Sequence, residues 1–308
     1  MRAEGKIGAV LAARLWGEDE ATIMATGHDM QLHLLRPDGS ERLAVKLPRG
    51  SHLPPYGTSL TVADLDGDGK LWPVVGTDAW RVSAITPAGE LRWTFDSAAH
   101  SITAVTAGDL NGDGRDEIAV GTVYFCVPAI TADGLRLWED EDYNDFWTAG
   151  PVFPWVCVGD VDGDGEMEVV TAGSDTLIHC IDCRGVKKWT HSIGDDPRGL
   201  VVTPAGIAAA SATGDVHLVD GSGERVWRHA DETPCTAVAA QFIAPTGAIN
   251  RAATGLCVAR EDGRLQWLSL EGEVMAEARL GAAATLLLAD GDGVIAATAD
   301  GRVAKLAT

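Results

Sequence analysis

Three stretches of the sequence place acidic residues at alternate positions around glycines. Residues 109–117, DLNGDGRDE, offer side-chain oxygens at positions 1, 3, 5 and 9, with the backbone carbonyl of Arg115 at position 7. Residues 160–168, DVDGDGEME, repeat this spacing. Ca²⁺ binds about six to eight oxygens, and the two inner glycines let the chain curl until alternate residues converge on one point. We predict a structural calcium ion in each stretch.

The third stretch, residues 64–72, has the sequence DLDGDGKLW. It carries carboxylates at positions 1, 3 and 5 and the Lys70 carbonyl at position 7, but Trp72 occupies position 9. We predict a weaker or water-completed site here, and therefore two to three ions in all. The alternative is that the stretches are only Asp-Gly turns, which β-proteins use freely. The predicted metal ligands are Asp64, Asp66, Asp68, Lys70, Asp109, Asn111, Asp113, Arg115, Glu117, Asp160, Asp162, Asp164, Glu166 and Glu168.

The acidic stretches belong to a repeat. Residues 109–117 are followed by a short apolar run, IAVGT at 118–122, and by a third run that passes a Gly turn and reaches a Trp, AITADGLRLW at 129–138. Short runs rich in β-branched residues and separated by Asp-Gly turns indicate strands joined by hairpins. Weaker copies fill the rest of the chain at a mean spacing of about 46 residues, which gives seven units.

A repeated four-stranded unit of this length is typical of a propeller blade. We therefore predict an all-β fold, a seven-bladed β-propeller of four-stranded antiparallel blades that forms a single domain over residues 1–308. The last unit holds only three strands, so residues 2–6 are expected to supply its outer strand, unless that segment is the scar of a truncation. The predicted blades are approximately residues 7–47, 58–96, 101–140, 153–192, 197–229, 235–280 and 284–308.

Over residues 58–192, the acidic loops followed by an apolar Val-Gly strand resemble the FG-GAP or VCBS calcium-binding repeats of integrin α-subunit heads and many bacterial surface proteins. The Gly-x-x-x-Trp strands also resemble quinoprotein (PQQ-like) repeats. The FG-GAP resemblance implies a ligand on the rim opposite the calcium loops. The Trp residues fall in outer strands, where packing explains them, and no quinone-binding set accompanies them, so we predict no quinone cofactor.

The composition narrows the possible partners. With 24 Lys and Arg against 45 Asp and Glu, the formal charge is −21, and no basic cluster favours nucleic acid or an anionic membrane. No apolar run approaches the roughly 18 residues of a membrane span, so we expect no membrane insertion. We predict that most of the six cysteines are small buried core residues, and the lone Cys180-x-x-Cys183 pair does not indicate a zinc site.

The rim opposite the acidic loops is expected to carry the blade-to-blade connections. The connection 140–154 combines carboxylates with aromatic residues, which suit sugar rings, and a protein ligand fits such a surface equally well. The alternative is that Phe146 and Trp147 have only a packing role, closing the end of the propeller or lying under their own loop. The predicted ligand-binding residues are Tyr56, Trp80, His100, Tyr124, Tyr143, Trp147 and Arg198.

These patterns predict a calcium-stabilised, non-catalytic binding propeller that recognises a glycan or protein ligand. The alternative is a polysaccharide lyase that cleaves uronate polymers by β-elimination, because ulvan and rhamnogalacturonan lyases use propellers with His, Tyr and Arg near the channel. No GxSxG, HExxH or P-loop pattern is present. We expect an extracellular, periplasmic or cell-surface protein, as a monomer or as a domain of a larger chain. The lyase candidates are His52, Tyr56, His100, Tyr124, Tyr143 and Arg198.

Overall fold

The computed structural model describes residues 7–48, 57–97, 101–123, 126–139, 152–241, 255–290 and 293–307. These residues form 27 β-strands and no helix. The strands group into seven sheets whose members follow one another in chain order. The predicted fold class is confirmed, because the chain is an all-β, seven-bladed β-propeller with antiparallel blades.

The first four sheets each have four strands, and in each the first and fourth strands lie at the two edges. Their strands are β1 Ile7–Ala13, β2 Thr22–Gly27, β3 Gln31–Leu35 and β4 Glu41–Lys46; β5 Gly57–Ala63, β6 Trp72–Thr77, β7 Arg81–Ile85 and β8 Leu91–Asp96; β9 Ile102–Gly108, β10 Glu117–Thr122, β11 Pro128–Ile130 and β12 Arg136–Glu139; and β13 Trp155–Gly159, β14 Glu168–Ala172, β15 Leu177–Ile181 and β16 Lys187–Ser192.

The fifth and sixth sheets also have four strands, whereas the seventh has three among the described residues. Residues 2–6, which we expected to complete the seventh blade, lie outside the described residues. The strands are β17 Pro197–Thr203, β18 Gly206–Ser211, β19 Val216–Val219 and β20 Arg225–His229; β21 Cys235–Gln241, β22 Gly255–Arg260, β23 Arg264–Ser269 and β24 Val274–Arg279; and β25 Ala284–Asp290, β26 Gly293–Thr298 and β27 Val303–Ala307.

The chain divides into two compact units, and each has its own core. The first unit comprises Met1–Val158, Glu166–Val170 and Ile181–Lys187, and within it β5 packs against β1 and β9. The second comprises Gly159–Gly165, Thr171–Cys180 and Lys188–Thr308, and within it β21 packs against β17 and β25. The cores are built mainly from the second and third strands of each blade.

Burial explains why the second strands are almost continuously apolar. Every residue of β10, β18 and β22 is buried, whereas β16 alternates between half-buried and exposed residues and β24 is mostly exposed. Strands covered on both faces need apolar residues at consecutive positions, and strands with one wet face alternate. The sequence pattern therefore follows the depth of each strand within its blade.

The Trp of the repeat links the outer strand of four blades to the following blade. In four blades the indole Nε1 donates a hydrogen bond, at 2.8–2.9 Å, to a carbonyl in the outer hairpin turn of the next blade. Packing and hydrogen bonding therefore account for these Trp residues. The four pairs are Trp93 with Ala132, Trp138 with Cys183, Trp189 with Gly221 and Trp227 with Leu270.

Candidate metal centre

The loop of residues 109–117 joins β9 to β10 and folds its side chains onto its own backbone. Gly112 and Gly114 adopt the left-handed conformation, with φ of 75° and 86°, which glycine enters without steric cost. Asp109 Oδ2 accepts a hydrogen bond from Gly114 N at 3.0 Å, and Asn111 Oδ1 accepts one from Asp113 N at 2.8 Å. The two glycines thus let the loop turn tightly enough for the side chains of Asp109 and Asn111 to accept hydrogen bonds from its own backbone.

Glu117, the last residue of this loop, is a buried carboxylate at the start of β10. It is 1% exposed, and its Oε2 accepts a hydrogen bond from Leu110 N at 3.1 Å while its Oε1 accepts one from Asn111 Nδ2 at 3.0 Å. Burial, helped by the charge of Asp113, raises the pKa of Glu117 to about 7, although hydrogen bonds from the backbone N–H groups of Asn111 and Leu110 oppose the shift. Its charged form is therefore costly unless a cation lies nearby.

The loop 109–117 fits a hard cation by the chemistry of its donors. Asp109 Oδ1 is buried and finds no hydrogen-bond partner among the described residues. No described Lys, Arg or His forms an ion pair with Asp109, Asp113 or Glu117. Three carboxylates and an amide that share one loop without a neutralising side chain are the oxygen-rich set that Ca²⁺ prefers.

The loop 160–168, between β13 and β14, has the same backbone design. Asp160 accepts hydrogen bonds from Gly163 N at 2.7 Å and Gly165 N at 3.1 Å. Asp160, Asp162 and Glu168 each bring one carboxylate oxygen to within 4.8 Å of the others. Ca²⁺ binds oxygens at about 2.3–2.6 Å, so two ligands of one ion lie at most about 5 Å apart, and the spacing of these three carboxylates fits. Here, however, Lys188 Nζ already contacts Asp162, at 2.5 Å.

The loop 64–72 differs because its carboxylates are held by basic side chains. Asp64 again caps the loop, accepting a hydrogen bond from Gly69 N at 2.7 Å. Arg92 binds Asp66 with two hydrogen bonds of 2.7 and 3.0 Å, and Lys70 pairs with Asp68. The Arg92 guanidinium lies 4.4 Å from the ring centroid of Trp72, the residue at position 9. This donor set fits a metal ion less well than the other two, and calcium stays a prediction at all three loops.

Sequence reasoning missed a residue that joins two of the loops. Asp116 N donates to Asp64 O at 2.8 Å, and Asp64 N donates back to Asp116 Oδ2 at 2.7 Å. Arg115, predicted as a ligand only through its carbonyl, uses its side chain to bind Leu65 O and Asp133. The signal in the sequence was a carboxylate at position 8 of one loop alone, which is too weak to reveal a partner 52 residues away.

Most of the predicted ligand-binding set lies outside the described residues, namely Tyr56, His100, Tyr124, Tyr143 and Trp147. Trp80 is half-buried in the turn between β6 and β7, with a φ of 67°. Arg198 is exposed on β17, where its Nη1 donates to Pro197 O at 3.4 Å. Of the six residues considered for a lyase, only Arg198 is described, so the lyase prediction is untested.

Comparison with known proteins supports the class of fold and one repeat family. Residues 101–125, which contain the loop 109–117, match the family model described as FG-GAP repeat. A comparison with curated protein sequences gives no match. The described residues contain no helix long and apolar enough to span a bilayer. The protein is therefore a seven-bladed β-propeller, and residues 101–125 of it are similar to the FG-GAP repeat.

Several solved structures are similar to this chain at low sequence identity. BBS1N in complex with ARL6DN, in crystals soaked with lead, is 15% identical over 97% of this chain and 91% of that chain, with a TM-score of 0.71. The computationally designed Ika8 protein is 14% identical over 98% and 84%, with a TM-score of 0.75. BamB from Moraxella catarrhalis is 18% identical over 100% and 85%, with a TM-score of 0.66. At this identity the likeness establishes the fold alone.

Proposed function

We propose that this protein is a non-catalytic, calcium-stabilised propeller that binds a protein partner with a positively charged surface. The observation that carries the calcium part is the loop 109–117. There, Asp109 Oδ1 is buried without a partner among the described residues, and the buried Glu117 has no counter-ion among them. A calcium ion would supply the missing positive charge.

The ligands we propose in this loop are Asp109, Asn111, Asp113, Glu117 and the carbonyl of Arg115. These residues end β9 and begin β10, so their joint coordination would fasten the first hairpin of the third blade. The loop 160–168 would do the same for the fourth blade. We infer a structural role, because these donors belong to the hairpin connection between β9 and β10.

Two observations favour a protein partner. BBS1N, a propeller of similar fold, was crystallised in complex with ARL6DN. The chain itself carries a formal charge of −21, and the second unit exposes Glu232, Glu261 and Asp300 in connections between its strands. A negative surface accelerates association with a cationic partner and opposes binding to nucleic acid. The glycan ligand remains the other prediction from the sequence.

The proposed compartment is extracytoplasmic. Calcium loops of this open, glycine-rich kind suit the millimolar calcium found outside cells, where sites with dissociation constants of about 10⁻⁴–10⁻³ M are filled.

The calcium proposal is tested by thermal unfolding in EDTA, in Ca²⁺ and in Mg²⁺. Because calcium would bind only the folded state, Tm should rise with calcium concentration and fall in EDTA, while Mg²⁺ should have little effect. Asp109→Asn should reduce the rise. An identical Tm in EDTA and in millimolar calcium would refute the proposal.

The partner proposal is tested with arrays of basic peptides, acidic peptides and glycans probed in parallel. Binding to basic peptides alone, weakened by salt and by Glu261→Lys, is the expected result. Binding to glycans alone would favour the glycan ligand. Release of an unsaturated product from a uronate polymer, followed by ultraviolet absorbance, would favour the lyase.

A further inference from the structure

One position of the repeat changes its chemistry from blade to blade. It lies on the outer strand, three residues after the glycine of the preceding turn and directly before the Trp where a Trp is present. From the first blade to the sixth its occupants are Arg42, Arg92, Leu137, Lys188, Val226 and Met275. We call this place in the repeat the outer-strand position.

Three blades carry a cation at the outer-strand position, and each cation binds a carboxylate in the loop between the first two strands of its own blade. Arg42 binds Glu18 with both terminal nitrogens, one at 2.7 Å. Arg92 binds Asp66 in the same two-point manner. Lys188 contacts Asp162 and lies 3.7 Å from Asp164.

The blades without an acidic loop have no cation at this position. In the fifth blade, β17 and β18 are joined by Pro204 and Ala205, and the outer-strand position holds Val226. In the sixth it holds Met275. Both side chains are about half exposed, so their apolar character is not a requirement of the core. The occurrence of the cation thus follows the occurrence of the carboxylates.

The third blade breaks this correlation. Its loop 109–117 is acidic, but its outer-strand position holds Leu137, and the loop residue corresponding to Asp66 and Asp162 is the neutral Asn111. No described basic residue forms an ion pair with Asp109, Asp113 or Glu117. This is also the loop that contains the buried Asp109 oxygen without a partner.

We infer that the outer-strand cations Arg92 and Lys188 are built-in counter-ions that stabilise their loops without metal and compete with calcium, whereas the third blade lacks one and depends on the ion. The competition part rests on the proposed calcium binding. Calcium at the loop 160–168 must draw Asp162 away from Lys188, and these side chains are only 25% and 27% exposed, respectively. The expected order of affinity is the loop 109–117, then 160–168, then 64–72.

Reciprocal substitutions test this inference by calorimetric titration with Ca²⁺. Lys188→Leu should tighten binding at the loop 160–168 by on the order of tenfold, since it removes a competing charge at contact distance. Leu137→Lys should weaken binding at the loop 109–117 by a similar factor. Asp109→Asn and Asp160→Asn, measured separately, assign each affinity to its loop.

A matched control is available in the fifth blade. Val226→Lys places the same charge at the same structural position beside a hairpin without acidic residues, and it should leave both calcium affinities unchanged. If Val226→Lys weakens binding as much as Leu137→Lys does, the effect comes from net charge and the inference is wrong. Should Leu137→Lys fail to fold, Lys188→Leu and its control still decide the matter.

Melting in EDTA gives a second readout that needs no metal. Lys188→Leu should lower Tm there, because it removes the Lys188 cation from beside Asp162 and Asp164, whereas Val226→Leu should not. If the wild type shows no calcium binding, the proposed function fails while the EDTA comparison still tests the counter-ion. If calcium binds but both reciprocal variants titrate like the wild type, the competition is refuted and the calcium proposal stands.

Discussion

The indole of Trp93 on β8 covers Gly134, the turn glycine in the outer hairpin of the next blade. Gly134 has a φ of 80°, and a Cβ built on it would lie 2.6 Å from Cγ of Trp93. The same indole donates to Ala132 O two residues earlier in the turn. The repeat therefore couples a Trp in one blade to a glycine in the following one, and this explains why both residues recur with the same spacing.

Gly134→Ala should lower the free energy of unfolding by about 2–4 kcal/mol, since it adds strain at positive φ to a steric clash with the ring. Gly39→Ala is the matched control, because Gly39 has a φ of 81° in the corresponding turn but nothing within 4 Å of the added Cβ. It should cost only about 1 kcal/mol. Urea denaturation measures both, and equal losses would show that the Trp contact contributes nothing.

Arg260 should be one of the most sensitive residues of the second unit. It is 0% exposed, and its guanidinium donates to Gln266 Oε1 at 2.7 Å and to the Thr233 carbonyl at 3.0 Å, which lies in the connection before the sixth blade. Arg260→Ala should destabilise the protein by about 3–5 kcal/mol, because it leaves a cavity and unsatisfied acceptors.

The comparison for Arg260 is Arg279→Ala, at a side chain that is 71% exposed and 3.9 Å from its partner Asp262. That substitution should change stability by less than about 0.5 kcal/mol. Chemical denaturation of both variants provides the measurement, and a mild effect at Arg260 would contradict the burial described here.

His217 should make the protein less stable in acid. Burial, and next the neighbouring His191, lower the pKa of His217 to about 4, and Arg225 and Arg228 act in the same direction while Asp215 opposes them. The unfolded chain takes up this proton near pH 6.5 and the folded chain only near pH 4. The free energy of unfolding should therefore fall as pH decreases across that interval, by up to about 3 kcal/mol.

The test for His217 is the difference between wild type and His217→Gln, measured in EDTA from pH 4 to pH 8. Gln does not titrate but can still hydrogen-bond His191, whose Nε2 lies 3.2 Å from His217 Nδ1. The variant should lose less stability in acid than the wild type. Parallel curves would show that His217 does not cause the pH dependence.

Glu117→Gln should separate the cost of a buried charge from the benefit of metal. In EDTA the free energy of unfolding of the variant should exceed that of the wild type by about 2 kcal/mol above pH 8, because burying a neutral amide costs less free energy than burying a charged carboxylate. In calcium the order should reverse, since a ligand has lost its charge. Thermal unfolding in both buffers is the measurement, and a variant that is equally affected in both would argue against a metal role for Glu117.

The fold and the placement of the acidic loops were predictable because both depend on short sequence patterns that recur along the chain. The Asp-Gly turns mark the hairpins, and the Trp residues mark the outer strands, so seven blades follow from spacing alone. The pairing of Arg92 with Asp66 was not predictable in the same way. The two residues lie 26 positions apart and meet only because β8 folds back beside the loop.

The mutual hydrogen bonds of Asp64 and Asp116 connect the acidic loop of the second blade to that of the third. Asp116 directly precedes Glu117, so we expect a cation bound by Glu117 to hold Asp116 more firmly against the Asp64 amide. Solvent exchange at that single amide should therefore slow when the neighbouring loop fills. A backbone proton in the second blade would then report, by NMR, an event in the third.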